Sequence, residues 1–182
     1  MRNMIALAIM LALCLQSPVQ AGDDSQPVVF LGSFSNMRAT AEHQYGAEVQ
    51  LWQQGSDLFG FLSYANGLKG DTPTGLLEDL KYEPETGKLS FQAKLTMGRH
   101  YCNLHRGVSS HDLFTFQGIL TPAALSGDLQ LLDALHPEKQ PQGKKVVLRK
   151  IAWNGGFQTD YQSWSQWDQE ARTIMKRLGP KW

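Results

Sequence analysis

Between residues 28 and 151, apolar side chains fall at every second position in a series of short runs; after Gly155-Gly156 the spacing changes to three and four. A period of two marks a strand with one face buried. Residues 28–34 read as a first strand with a kink at Gly32. Over 45–53, Ala47, Val49 and Leu51 share one face, while Glu48, Gln50 and Trp52 share the other. Gln54-Gly55-Ser56-Asp57 supplies turn residues and 58–64 continue as the partner, so 45–64 predict a hairpin. Residues 65–75 are dense in Gly, Pro, Asn and Asp and predict a long loop.

A second hairpin is expected from 76–82 and 88–96, joined by Glu83-Pro84-Glu85-Thr86-Gly87. Leu89, Phe91, Ala93 and Leu95 alternate with Ser90, Gln92 and Lys94 along its second strand. Three more strands follow at 113–120, 125–131 and 145–151, with a polar loop over 136–144. Phe114, Phe116, Val146 and Leu148 are their inward candidates. In the last segment Tyr161, Trp164, Trp167, Ala171, Ile174, Met175 and Leu178 form the stripe of an amphipathic helix. Thr159 or Asp160 is placed to cap it, Lys176 and Arg177 suit its last turn, and Gly179-Pro180 ends it.

The pattern predicts one mainly β domain, an antiparallel barrel or sandwich of seven or eight strands over 22–154, with the helix of 155–182 packed on it. Hairpins in series followed by a C-terminal helix resemble the lipocalin-like, or calycin, layout, in which a small barrel holds a ligand in its mouth. Lipocalins carry Gly-x-Trp near the first strand, where this chain has Gly32-Ser33-Phe34. The resemblance is one of layout, and it implies a fold rather than a function. Phe91, Phe114 and Phe116 are large enough to fill the interior of a small barrel.

Composition alters the picture in two ways. Among 182 residues, Lys plus Arg and Asp plus Glu both number 17, so the net charge is zero and no positive field exists to draw nucleic acid. The first 21 residues are not part of the strand pattern. Arg2, the apolar run 4–15 and the small-x-small triplet Val19-Gln20-Ala21 form an export signal, with cleavage expected after Ala21. The run is too short to span a bilayer, so the mature chain is expected outside the cytoplasm with no transmembrane segment. Leu11-Ala12-Leu13-Cys14 approaches a lipobox, but Leu13 stands where a small residue is wanted, which argues against a lipid anchor. If Cys14 leaves with the signal, Cys102 is the sole remaining thiol and no disulfide can form within the chain.

Candidate chemistry concentrates in one stretch. Arg99-His100-Tyr101-Cys102-Asn103-Leu104-His105-Arg106, with His111 beyond it, gathers nitrogen and sulfur ligands for zinc or copper. The spacing lacks a Cys-x-x-Cys or His-x-x-x-His pair. Arg99 and Arg106 suggest an anion site instead, since guanidinium pairs with carboxylate or phosphate through two prongs. Cys102 beside His100 and His105 has the composition of an activated nucleophile, without a defined base. Outside this stretch the compact acid/base groups are Glu42-His43 and Glu78-Asp79, and neighbours on a strand face opposite ways. No hydrolase, zincin or phosphate-loop motif occurs. Trp52, on the polar face of its strand, has two readings: an exposed contact for a ligand, or the surface on which Trp164 and Trp167 of the helix dock.

The function expected from these features is an exported, non-catalytic binding protein. Its partner would be a small apolar or amphipathic molecule, or an extracytoplasmic protein, with Trp52, Arg99 and Arg106 as contacts. The alternatives are a metal-binding protein using His100, Cys102, His105 and His111, or an inhibitor of a secreted hydrolase. No cofactor is identified.

Overall fold

In a computed structural model, residues 26–69, 72–95, 112–133, 138–152 and 160–178 are described, without the side chains of 133 and 174–178. The elements are β1 (Val28–Ser35), β2 (Arg38–Ala39), β3 (His43–Gln54), β4 (Asp57–Leu68), β5 (Thr74–Glu83), β6 (Lys88–Lys94), β7 (Asp112–Leu120), β8 (Ala124–Asp133), β9 (Gln142–Ile151) and α1 (Trp164–Leu178). Each long strand pairs antiparallel with its sequence neighbour, and β1 pairs with both β3 and β9. The sheet therefore closes into an eight-stranded antiparallel barrel with one short C-terminal helix, the lipocalin-like layout. The short β2 lies outside the ring, against the start of β3.

Alternation decides which side chains enter the lumen. Val49 and Leu51 of β3, Leu62 of β4, Leu89, Phe91 and Ala93 of β6, Phe114 and Phe116 of β7, and Val146 and Leu148 of β9 form one buried cluster. The Phe91 and Phe116 rings stack at 5.0 Å between centroids, in a pair that β6 and β7 place directly opposite one another. Each such side chain taken fully out of water stabilises the fold by about 1.5–3 kcal/mol, and together they fill this part of the lumen.

Turns close one end of the barrel tightly. At the β5–β6 turn, Gly87 N donates to Glu83 O at 2.8 Å with φ at 71°, a left-handed value that only glycine adopts at no steric cost. The other end, the mouth, is where β4, β6 and β8 finish and β5, β7 and β9 begin. The ring has two narrow junctions: β1 meets β9 at Ser33, Phe34 and Ser35, and β4 meets β5 at Phe61, Leu62 and Ser63.

The helix packs on the outer wall. Trp52, Phe59, Phe61, Tyr161, Trp167 and Ala171 form a second buried cluster, flanked by Val28, Phe30, Leu76 and Trp164. Trp167 lies 4.8 Å from Phe59 and 5.2 Å from Phe61 between ring centroids. Ser163, rather than Thr159 or Asp160, caps α1: its Oγ accepts from Gln166 N at 3.1 Å, while Gln166 Oε1 accepts from Gln162 N at 2.8 Å. Ser163-Trp164-Ser165-Gln166 encodes a variant of the capping box, in which the return bond reaches the N–H one residue before the cap. Tyr161 thus belongs to the stripe by contact but precedes the helix. The buried Gln54 ties three segments together. Its Nε2 donates to Gln26 O at 2.8 Å and its Oε1 accepts from Trp164 N at 2.7 Å.

Three local expectations change. Strand β4 runs on through Asn66-Gly67 to Leu68, inside the expected loop, because β3 pairs with it over its whole length. Strand β9 begins at Gln142, inside the expected polar loop. In β5 the alternation breaks between Glu78 and Lys81 at a bulge, where Asp79 adopts φ 49° and Leu80 turns toward the core. No helix among the described residues is long and apolar enough to cross a membrane.

Candidate functional site at the barrel mouth

Four strands build a well at the mouth. Tyr64 follows Leu62 by two positions on β4, so it shares the inward face. Phe114 enters from β7, Leu129 and Leu131 from β8, and Lys144 from β9, two positions before the buried Val146. With Gln142 and Gly143, which are exposed, these residues line an open well of about 180 Å³. Tyr64 reaches across the lumen to Phe114, with ring centroids 4.7 Å apart and planes tilted by 41°. Lys144 approaches from the third side, its Nζ 3.5 Å from Tyr64 Oη and 5.0 Å from the ring centroid. The geometry is that of a cation lying over an aromatic face.

Below the well the lumen is filled. Phe114 and Phe116 are 1 % exposed and Leu129 is 3 % exposed. Above it the β3–β4 ribbon continues past the last β4–β5 pair, Ser63 with Thr74. Its inward face there carries Tyr45 and Leu68, 46 % and 49 % exposed, with His43 stacked on Tyr45 at 6.0 Å. The well thus has an apolar floor, an aromatic wall, a basic and amide rim, and an apolar ledge.

A larger groove of about 490 Å³ crosses the outer wall beside the β5 bulge, with Asp79, Lys81, Ser90, Gln92, Thr115 and Gln117 among its lining. It lies on the water-facing side of β6 and β7, and its polar side chains outweigh the apolar lining from Leu80, Phe91 and Phe116. The mouth well combines apolar walls with a few convergent polar atoms, and it is the better site.

Of the residues expected from sequence, Trp52 is fully buried beneath α1. Its ring contacts Phe59, Phe61, Tyr161 and Trp167. It marks where the helix docks, the second of its two readings, and it offers no exposed indole. Arg99, His100, Cys102, His105, Arg106 and His111 lie outside the described residues. The strands flanking that stretch meet at the mouth, where Leu95 N donates to Asp112 O at 3.0 Å. Glu78 and Asp79 are both exposed. Among the described residues no group of three His, Cys, Asp or Glu is placed to hold a metal ion.

Among the described residues, two groups have shifted titration. Burial, with help from Glu170 and Asp160, pushes the Tyr161 phenol up to about 12. The hydrogen bond that Arg172 Nε donates to the Asp168 carboxylate, at 2.7 Å and 2.8 Å from its two oxygens, raises the guanidinium. Both belong to the helix region and not to the mouth.

Sequence reading missed Tyr64, Lys144 and Gln142 as site residues. The usable signal was parity, since Lys144 shares the inward register of Val146 and Leu148 despite its polar surroundings. Comparison with protein-family models, curated proteins and solved structures finds no match to this chain. The mouth geometry therefore stands as the basis for a functional reading.

Proposed function

We propose that the protein is an exported, non-catalytic binding protein that takes a small apolar or amphipathic molecule in the mouth well. The observation that carries this reading is the well itself, which brings the apolar Phe114, Leu129 and Leu131 together with Tyr64, Gln142 and Lys144. Export is supported by the apolar run 4–15 and the triplet Val19-Gln20-Ala21. A small molecule is favoured over a protein partner because the well is concave and of single-group size. A long hydrocarbon chain is disfavoured, since Phe116 and Leu129 close the lumen beneath it.

Native mass spectrometry of protein recovered from outside the cytoplasm tests the reading. The expected result is an N-terminus at Gly22 and a bound small molecule that is lost in Leu131→Trp, a variant that fills the well. A protein retained in the cytoplasm, or one whose bound molecule survives that substitution, overturns it.

A further inference from the structure

We infer that the mouth well is built for a monocyclic aromatic carboxylate, an assignment that rests on the binding reading above and narrows its ligand class. Size comes first. The open well offers about 180 Å³, and an apolar cavity of roughly 150 Å³ accepts one benzene ring. A single ring matches the space within the well.

The walls select for aromaticity. The Tyr64 and Phe114 rings are tilted against each other across the lumen, which suits edge-to-face contact with a third ring. Leu129 and Leu131, paired with Lys144 and Gln142 across β8 and β9, complete an apolar wall.

The rim selects for charge. Lys144 Nζ and Tyr64 Oη stand 3.5 Å apart, so one can donate to each oxygen of a single carboxylate, and Gln142 also lines the well. Bonds of this kind, with an ionised donor or acceptor, are shorter and stronger than neutral ones. Among the described residues that line the well there is no carboxylate, and Lys144 has no acidic partner among the described residues. The next residue shows the contrast: Lys145 faces outward and pairs with Asp128 at 3.2 Å. Among the described residues lining the well, Lys144 is the cation placed to meet a ligand's anion.

Titration calorimetry with three probes tests the assignment: phenylacetate, the neutral 2-phenylethanol and the ringless octanoate. Phenylacetate is expected to bind at one equivalent, about tenfold or more tightly than either of the others, as expected for a hydrogen bond to a charged group. Lys144→Met should weaken phenylacetate by a similar factor and leave 2-phenylethanol unchanged. Tyr64→Phe keeps the ring and should cost phenylacetate less than Lys144→Met does. Equal binding of acid and alcohol, or indifference to Lys144→Met, overturns the carboxylate assignment while leaving the mouth as a site. Preference for octanoate overturns the aromatic assignment. Phenylacetate binding that survives Leu131→Trp places the ligand elsewhere and overturns both readings. Failure of all three probes to bind overturns the ligand class, and the co-purification experiment then decides the mouth reading separately.

Discussion

Tyr64 and Phe114 belong to strands β4 and β7, which are separated by two others around the wall, yet their rings meet at 4.7 Å across the lumen. The contact caps the filled interior at the mouth. Phe114 is 1 % exposed, so Phe114→Ala should cost about 3–5 kcal/mol through lost burial and the cavity left behind. Tyr64→Phe, which keeps the ring and removes only the hydroxyl near Lys144, should stay within about 0.5 kcal/mol of the parent. Urea unfolding of the two variants checks this, and comparable losses in both would contradict the account.

Tyr161 links pH to stability through its position under α1. Its folded value of about 12 lies above the ordinary 10.0, chiefly because burial disfavours the phenolate. The stabilisation is fully present below about pH 10 and is lost as pH rises from there through about 12, because the unfolded chain releases the proton first. Tyr161→Phe should flatten this part of the alkaline decline when denaturation midpoints at pH 7 and pH 11 are compared with the parent. The phenolic oxygen is buried without a hydrogen-bond partner among the described residues, so the variant should also equal the parent at pH 7 or exceed it by about 1 kcal/mol. A steeper decline in the variant would exclude this explanation.

Gln54 joins the helix start to the N-terminal segment. Gln54→Leu keeps much of the volume but strands Trp164 N and Gln26 O, at an expected cost of about 1–3 kcal/mol. Ser163→Ala removes the cap and should cost about 1 kcal/mol. Both act on the first turn of α1, so the double variant should show a coupling term rather than simple addition. Amide exchange along α1 is the readout, and protection unchanged in Gln54→Leu would remove this link from the fold.

Gly118 and Gly127 face one another across β7 and β8 beneath the Phe116 ring. A Cβ on Gly127 would lie 2.2 Å from Gln117 O and 2.8 Å from Phe116 Cζ, and one on Gly118 would lie 2.2 Å from Ser126 O. Backbone cannot yield as a flexible side chain does. Gly127→Ala should therefore destabilise by about 1–3 kcal/mol through overpacking, whereas Gly67→Ala, with open space around its Cβ, should be nearly neutral. Thermal melts of the pair distinguish a crowded ladder from a general intolerance of alanine in strands.

The eight wall strands were readable because period-two alternation survives wherever one face is buried. Leu89, Phe91, Ala93 and Leu95 were placed inward by spacing alone, and all are at most 2 % exposed. What escaped sequence reading was decided by pairing rather than by composition. Asn66 and Gly67 signal a turn, yet β3 holds them in register with Tyr45 and Gln44. The bulge at Asp79 has no glycine or proline to announce it. Ser163 was overlooked as a cap because Tyr161, which packs with the helix residues, suggested an earlier start. The site residues Tyr64 and Lys144 come together only through closure, since β4 and β9 are far apart in sequence and adjacent to different neighbours in the ring.

The two narrow junctions of the ring divide it into unequal leaves, β1-β3-β4 and β5 through β9. One seam is stapled: Phe61 and Leu76, a directly paired couple at the β4–β5 junction, both lie in the aromatic patch gripped by the helix. The β1–β9 seam, at Ser33, Phe34 and Ser35, has no part in that patch among the described residues. Breathing of the shell should begin there, with α1 acting as the hinge plate on which the leaves part.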